Sequence, residues 1–528
     1  MVLTGTGGVS MIRNSIHSLI FFVAAVPFAA CDTQPTDNNT ETHGGAFPLA
    51  VETRSGTVEG SWGEASLYFK GIPYAEPPVG DLRWQPPADK APWQGVRLAH
   101  EFSPACPQPE SPLSQQELVW DEDCLCLNIY RPKEHTTNLP VMVFIHGGSH
   151  ITGSGSLSYY DGEWLAQNKK IVLATINYRL GQFGYLYLPE AGITGNYGTL
   201  DQIKALEWIN NNIEAFGGDP DNITLFGESA GGISVGMLLA LAPELFDKAI
   251  IQSGIIYYNA DSISPEKASE QGKAFAREIG CDQAGDVGAC LGEKSAGEVL
   301  TTGTGNANFA VPGNQYGPVL DGVLVHDTPL EMIIKGTGRD IPLIMGVNAD
   351  EGTLFAYFLG IETKEDYENW VRSIFSVLAD HVLRLYPADN YREPWLAAAD
   401  VLGDAVFVCS TRETLKKLSL YNNRLYQYYF TYATDDAVES GFGAFHAAEL
   451  GYVFHTFASE TAAAEQVSQN LTELWTRFAY DGVPSCNDTV WPPFTYLLQH
   501  YLSIDEQLST GMYLKKDTCD FWDWFINP

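Results

Sequence analysis

Short apolar runs alternate with amphipathic and polar stretches along most of the chain. Residues 141–145 and 171–176 are continuous runs of β-branched and other apolar side chains, typical of strands buried on both faces. Residues 200–216 instead carry apolar side chains at helical spacing. Further strands are predicted at residues 222–226, 248–251, 341–345 and 426–432. Strands alternating with helices predict an α/β fold, with a mainly parallel sheet covered by helices on both faces.

A serine between glycines follows the predicted strand 222–226 and precedes an apolar segment with the character of a packed helix. This Gly-Glu-Ser-Ala-Gly-Gly pattern at a strand-to-helix turn is typical of a nucleophile elbow. Gly227 and Gly231 are expected to be required because the turn leaves no room for side chains. The turn would hold the Ser229 hydroxyl above the sheet, beside a helix N-terminus that favours negative charge. A small-residue turn packed against a strand is the alternative interpretation.

A nucleophilic serine needs a base, and the base needs an orienting carboxylate. In this type of fold the acid and then the histidine follow the serine, each after the carboxyl end of a strand. The loop after residues 341–345 offers two carboxylates, Asp350 and Glu351, and spacing leaves both open. A glycine-rich loop after the aromatic strand ends in His446.

Backbone N–H groups are needed to stabilise the oxyanion of an acyl-transfer intermediate. Ala230, directly after the serine, can supply one, and the loop Gly147-Gly148-Ser149 after an earlier strand can supply others. The alternative for this loop is a plain tight turn.

From about residue 51 to the C-terminus, a linear set of motifs resembles the type-B carboxylesterases, the cholinesterase and lipase family. The matching segments are residues 122–128, the loop at His146, residues 177–179, 195–198 and 216–220, the serine elbow, residues 252–254, the Glu351 loop, and residues 491–493 and 519–522. The resemblance implies an α/β-hydrolase fold over residues 49–528. Large helical or loop insertions are expected at residues 255–340 and 355–420.

The same resemblance assigns the candidate site. It implies the triad Ser229, Glu351 and His446, and it selects Glu351 over Asp350. It implies an oxyanion hole formed by Gly148, Ser149 and Ala230, with Gly147 and Glu228 as neighbours. The family loop usually has glycine where this chain has Ser149. The N–H of a serine can serve there if φ is negative, whereas a positive φ would strain the residue.

The chain has nine cysteines, and an export segment at its N-terminus would permit disulfides. The sequence alone does not fix the pairing. The resemblance implies three bonds: Cys106–Cys124, Cys281–Cys290 and Cys409–Cys519. Cys126 and Cys486 are then expected to be a buried thiol and a surface thiol. No cysteine spacing predicts a zinc site, and neither a metal nor an organic cofactor is implied.

Residues 1–31 are predicted to be a signal peptide, since Arg13 precedes an apolar run over residues 19–30. The run ends at Cys31 in a pattern that resembles a bacterial lipoprotein signal, which makes Cys31 the lipidation candidate. An ordinary secretory signal is the alternative, and either Met1 or Met11 could be the start. Residues 32–48 are predicted to form a flexible linker. The protein is therefore expected to be secreted, periplasmic or lipid-anchored at the cell envelope.

The chain carries 65 acidic against 30 basic residues, a formal net charge of -35. Such a surface repels nucleic acid and anionic lipid, so membrane contact is expected only through a lipid anchor. The expected partner is a small-molecule ester, and the oligomeric state is left open.

The predicted function is hydrolysis of neutral, short- to medium-chain carboxylic esters through an acyl-enzyme. In cholinesterases a tryptophan inside the first disulfide loop binds the quaternary ammonium group. Here the only tryptophan between Cys106 and Cys124 is Trp120, and Ser114 stands roughly where that tryptophan is expected.

A lipase or an amide or carbamate hydrolase is the alternative enzymatic function. The second alternative is a non-catalytic cholinesterase-like binding or adhesion protein, although such relatives typically lack the nucleophile.

Overall fold

The computed structural model describes residues 41–110, 116–256, 264–302, 316–458, 461–486 and 489–526. The predicted signal peptide, Cys31 and Ser114 lie outside the described residues.

The described residues form twenty strands. In chain order they are β1 Glu41–Ala46, β2 Ala50–Thr53, β3 Gly56–Glu59, β4 Ser61–Trp62, β5 Leu67–Pro73, β6 Val96–Leu98, β7 Cys126–Arg131, β8 Glu134–Thr137, β9 Leu139–Ile145, β10 Val172–Ile176, β11 Tyr187–Leu188, β12 Ile193–Thr194, β13 Gly218–Glu228, β14 Lys248–Gln252, β15 Leu343–Asn348, β16 Leu425–Phe430, β17 Ser485–Cys486, β18 Thr489–Val490, β19 His500–Ile504 and β20 Ser509–Met512.

Eleven of these strands form the central sheet, in the order β20-β19-β16-β15-β14-β13-β9-β10-β7-β5-β4. The strands from β19 to β10 pair in parallel, and the strands at either end pair antiparallel. The sheet is therefore mostly parallel, as the alternation of strands and helices predicts. Small two- and three-stranded sheets join the remaining strands.

The same residues form seventeen α-helices. They are α1 Glu163–Lys169, α2 Gly181–Tyr185, α3 Tyr197–Asn212, α4 Ala230–Leu241, α5 Pro265–Glu278, α6 Val287–Gly292, α7 Ala296–Thr301, α8 Pro329–Lys335, α9 Thr353–Ala356, α10 Lys364–Phe375, α11 Ala379–Leu385, α12 Pro394–Leu402, α13 Cys409–Leu418, α14 Asp435–Ser440, α15 Leu450–Val453, α16 Ala462–Asp481 and α17 Lys516–Ile526. The predicted insertions are accordingly helical where they are described, with α5–α8 in one and α9–α13 in the other.

The side chains of strand β9 pack against helices on both faces of the sheet. All seven of its residues are buried, and successive side chains point to opposite faces. Val141, Val143 and Ile145 belong to an apolar cluster that includes residues of α3 and α4. Met142 and Phe144 belong to a second cluster that includes residues of α1 and α16. A continuous apolar run, rather than an alternating one, is therefore what this strand requires.

The predicted linker ends earlier in the chain than expected. Residues 41–46, inside the predicted linker 32–48, form β1, which pairs antiparallel with β8. Backbone hydrogen bonds to β8 hold this strand. It therefore forms without the alternating apolar side chains by which a strand is predicted from sequence.

The three disulfides implied by the resemblance are present: Cys106–Cys124, Cys281–Cys290 and Cys409–Cys519. Cys126 is a free thiol and is buried, as expected. The prediction of a surface thiol at Cys486 was wrong. Its side chain is buried at the short β17 strand, against α16, and it is not a free thiol.

Candidate active site

The serine elbow lies where β13 ends and α4 begins. Ser229 has φ 55° and ψ −124°, a combination rare for a residue with a side chain, and it is partly exposed. A Cβ on Gly231 would come within 2.0 Å of the Ile145 carbonyl oxygen, and one on Gly227 within 2.5 Å of the Gly231 carbonyl oxygen. Glycine is therefore required at both positions, as the sequence indicates. The Ser229 N–H donates to the Gln252 carbonyl at 2.9 Å, which fixes the turn to β14.

Glu351 and His446 meet at the carboxyl edge of the sheet. Glu351 follows β15, His446 lies on the loop after β16, and Glu351 Oε2 is 2.6 Å from His446 Nδ1. The other carboxylate oxygen accepts from the Ser253 hydroxyl at 2.5 Å and from the Asn348 N–H at 2.7 Å. Glu351 is fully buried, so these contacts fix both its position and the orientation of the imidazole.

Asp350, the other carboxylate that spacing left open, has a different place. Its Oδ2 accepts from the Ala444 N–H at 2.8 Å, and an isolated β-bridge joins it to Phe445. Asp350 therefore holds the loop that carries His446, whereas Glu351 contacts the imidazole itself.

Glu228 faces the other ring nitrogen of His446. His446 Nε2 lies 3.2 Å from Glu228 Oε1, and Glu228 directly precedes Ser229. Among the described residues, no hydrogen bond joins Nε2 to the Ser229 hydroxyl. In this arrangement the imidazole faces two carboxylates, one through each nitrogen.

A third carboxylate, Glu449, was missed from the sequence. It is fully buried and accepts from Gln252 Nε2 at 2.9 Å and from Asn348 Nδ2 at 2.6 Å. An acidic residue within the short apolar stretch after His446 is the feature that could have drawn attention to it. Its amide partners belong to the ends of β14 and β15, so Glu449 ties the histidine loop to the strands that precede the site.

Burial and mutual charge shift the titration of these groups. Burial opposes the charged form of His446, but Glu228 and Glu351 outweigh it and raise the pKa of His446 to about 9. Burial raises the pKa of Glu228 to about 8, with Glu449 and Glu351 adding to the rise and His446 opposing it. Burial likewise raises the pKa of Glu449, although hydrogen bonds from Asn348 and Gln252 work against it. The two carboxylates that face His446 therefore favour its protonated form.

The loop after β9 lies directly against the elbow. A Cβ on Gly147 would come within 3.1 Å of Ser229 Cβ. The N–H groups of Gly148, Ser149 and Ala230 have no protein acceptor among the described residues, so they are available to a ligand. Ser149 has φ 55°, so its backbone is strained, and its N–H is not presented from the unstrained negative-φ conformation.

Aromatic side chains cover the imidazole. The ring centroids of Phe355 and Phe407 lie 5.0 Å and 5.1 Å from that of His446. The two rings stack on one another at 5.6 Å. The wall beside the candidate base is therefore apolar.

A mostly parallel eleven-stranded sheet with helices on both faces and a serine elbow after a central strand defines an α/β hydrolase. The solved structure of PNB esterase is similar, with a TM-score of 0.79 and 31% identity over 90% of this chain and 100% of that one.

The chain belongs to the carboxylesterase family, whose model matches residues 48–522, and it is a carboxylic ester hydrolase. A fumonisin B1 esterase of Sphingopyxis macrogoltabida is 34% identical over 473 residues, covering 84% of each chain. The cholinesterase of Mus musculus is 31% identical over 560 residues, covering 97% of this chain and 90% of that protein. The acetylcholinesterase of Bungarus fasciatus is 31% identical over 532 residues, covering 92% and 87% respectively.

Proposed function

We propose that the protein hydrolyses neutral carboxylic esters of short to medium chain length through an acyl-enzyme formed on Ser229. The observation that carries this proposal is the buried Glu351–His446 pair at 2.6 Å, whose Nε2 lies 3.2 Å from Glu228, the residue directly before the partly exposed Ser229. A hydroxyl, an imidazole and an orienting carboxylate are the three groups that acyl transfer to serine requires.

In the proposed reaction His446 Nε2 leaves Glu228, takes the proton of the Ser229 hydroxyl, and the serine oxygen attacks the ester carbonyl carbon. The imidazolium then gives its proton to the departing alcohol as the carbon–oxygen ester bond breaks. In the second half His446 deprotonates a water, which attacks the acyl carbon, and the imidazolium returns the proton to Ser229 Oγ as the acyl–serine bond breaks and the acid leaves. Glu351 keeps Nδ1 protonated throughout, because its Oε2 accepts from that nitrogen.

The oxyanion of both intermediates would be bound by the N–H groups of Gly148, Ser149 and Ala230. These three groups lack a protein acceptor among the described residues and come from the two segments that meet at the elbow. Donors fixed before the reaction begins need no reorganisation as charge develops on the oxygen.

The preference for neutral esters rests on the apolar wall of Phe355 and Phe407 beside His446. Burial of acyl or alcohol carbons there would contribute about 0.8 kcal/mol per methylene. Trp120, the only tryptophan in the first disulfide loop, is 36% exposed at the surface. The names of the relatives nevertheless make choline esters and fumonisin B1 the substrates to test against neutral esters.

The decisive experiment compares wild type with Ser229→Ala, His446→Ala and Glu351→Gln on p-nitrophenyl esters from acetate to palmitate, on butyrylthiocholine and on fumonisin B1. Ser229→Ala and His446→Ala should each lower turnover by about 10⁴-fold or more, and Glu351→Gln by somewhat less. His455→Phe and Glu465→Gln, a second histidine–carboxylate contact at 3.9 Å outside the site, serve as controls. Retained activity in Ser229→Ala would refute the nucleophile. Higher kcat/KM for butyrylthiocholine than for p-nitrophenyl butyrate would refute the neutral-ester preference.

We further propose that the protein is exported, and is either secreted or anchored through lipid on Cys31. The support is the apolar segment over residues 19–30 that ends at this cysteine, together with three disulfides, which form in oxidising compartments. No helix among the described residues is long and apolar enough to cross a membrane. Expression of the full chain with labelled palmitate distinguishes the two: a label that is lost in Cys31→Ala shows lipidation, and an exported protein without label shows simple secretion. Retention of the wild type inside the cell would refute export.

A further inference from the structure

His150 follows the candidate oxyanion loop and has an unusual environment for a histidine. It is fully buried, with no exposed side-chain surface. It has φ 58°, so Gly148, Ser149 and His150 are three successive residues in the left-handed region, two of them with side chains. Such a backbone costs on the order of 1–3 kcal/mol per strained residue and persists only where surrounding contacts hold it.

The imidazole of His150 supplies a contact of this kind. Its Nε2 lies 3.1 Å from the Ser234 hydroxyl oxygen, and that oxygen accepts from Gln202 Nε2 at 2.9 Å. Ser234 is on α4 and Gln202 is on α3. The side chain of His150 therefore contacts α4, at a serine that α3 also contacts, rather than its own loop.

Other contacts of His150 fix its ring and its backbone. The ring packs against Tyr185 at 5.2 Å between centroids and against Tyr178 at 6.3 Å. The His150 carbonyl accepts from the Gly181 N–H at 2.7 Å. Burial, with a smaller effect of His146, lowers the pKa of His150 to about 3, so the ring is neutral and needs no counter-charge at working pH.

The helix that holds His150 is also the helix that begins at the elbow. Ala230, whose N–H is one candidate donor, is the first residue of α4, and Ser234 lies one turn further along. Ser149, whose N–H is another candidate donor, is the residue before His150. The contact between His150 and Ser234 therefore links the two segments that supply donors to the oxyanion, and the ring of His150 also faces the Ala230 backbone.

We propose that His150 is a positioning residue, which holds the Gly148–Ser149 donors at a fixed distance from the Ala230 donor through its bond to Ser234. The proposal rests on the oxyanion hole of the proposed function. It predicts that loss of the bond impairs stabilisation of the intermediate more than it impairs substrate binding, since misplaced donors weaken binding of the oxyanion and not of the ground-state ester.

The chain offers a matched control. His455 also has a left-handed backbone, φ 58°, and its Nδ1 contacts the hydroxyl of Ser468 at 2.8 Å. It stacks on Trp164 and lies outside the candidate site. His455→Phe therefore removes the same kind of bond from the same kind of backbone without affecting the oxyanion loop.

The test measures kcat and KM for p-nitrophenyl acetate and the inhibition constant of a trifluoromethyl ketone, which forms a tetrahedral adduct with serine. His150→Phe keeps an aromatic ring and should lower kcat about tenfold with KM within twofold. This is less than the 10²–10³-fold cost of losing a donor outright. The inhibition constant should rise about tenfold in parallel. His150→Gln, which can place an amide nitrogen near the position of Nε2, should recover most of the loss.

Ser234→Ala is the smaller change and carries the test if His150→Phe does not fold. It should lower kcat in the same direction, and the double variant should be no worse than the more impaired single variant. An unchanged kcat in folded His150→Phe and Ser234→Ala, or a loss that His455→Phe reproduces, would overturn the proposal. Failure of the proposed function would show differently, as an absence of ester turnover in wild type.

Discussion

Glu228→Gln should move the pH dependence of the reaction. His446 must be neutral to accept the Ser229 proton, and its pKa is raised to about 9, so the base form is lost as pH falls below that value. In wild type kcat/KM should therefore rise with pH and level off only near pH 9. Among the charges that raise the pKa of His446, Glu228 has the largest effect. Its Oε1 lies 3.2 Å from Nε2 and stabilises the protonated imidazole.

The size of the effect follows from that distance. Two charges 3.2 Å apart interact by on the order of 5 kcal/mol at an effective dielectric constant of about 20. A pKa unit corresponds to about 1.4 kcal/mol. Two effects reduce the shift: Glu228 itself has a pKa raised to about 8, and a glutamine amide still contacts the ring. We therefore expect the acid limb of kcat/KM to move about one to two units lower in Glu228→Gln.

The assay is kcat/KM for p-nitrophenyl butyrate from pH 5 to pH 10. The plateau of Glu228→Gln should also fall, because Glu228 stabilises the imidazolium that forms during attack. Glu465→Gln removes a carboxylate that faces His455 at 3.9 Å and should leave the limb in place. An acid limb at the same pH in wild type and Glu228→Gln would refute the reasoning, since the titration would then not depend on this carboxylate.

Three further predictions concern the loop and the disulfides. Ser149→Gly should leave kcat unchanged and stabilise the fold by at most about 1 kcal/mol, since relief of the strain at φ 55° is partly offset by glycine entropy; a large loss of kcat with folding intact would instead implicate the hydroxyl. Ser149→Pro should lower kcat by at least about 10²–10³-fold, because it removes a candidate oxyanion donor and because proline cannot adopt φ 55°. Removing Cys409–Cys519, which spans 110 residues, should lower the free energy of unfolding by about 5 kcal/mol, against about 3 kcal/mol for Cys281–Cys290, which spans 9. Denaturant titration of the two double Cys→Ala variants checks the order, and a larger loss from the shorter loop would contradict it.

The elements that position the site could be predicted where the chain pattern is strong. The predicted strand at residues 141–145 and the apolar segment after Ser229 correspond to β9 and α4, because buried strands and helices need continuous apolar sequence. Strand β1 could not be found, since its pairing uses the backbone and leaves no side-chain pattern. The order of the elements also predicted that the candidate catalytic groups lie at one edge of the sheet, since the carboxyl ends of parallel strands meet there.

The environment of the site was less accessible from sequence. The choice of Glu351 over Asp350 came from family resemblance, and only the side-chain contacts show that Asp350 bonds Ala444 while Glu351 bonds His446. The roles of Glu449 and His150 depend on partners far along the chain, Gln252 at 197 residues and Ser234 at 84. No local pattern reports such contacts.

The separation of the site residues along the chain has a consequence for biogenesis. Glu351 and His446 are 95 residues apart, Glu351 and Ser253 are 98 apart, and the insertions with α5–α8 and α9–α13 lie between the segments that carry them. Contacts of this range form late, because the entropy of closing long loops must be overcome before they stabilise anything. A chain emerging from the ribosome cannot assemble the cluster until β16 and the loop to His446 have been made. Ester turnover therefore reports nearly complete folding. A partly folded intermediate would have no activity in the assay, however much of the sheet it contained.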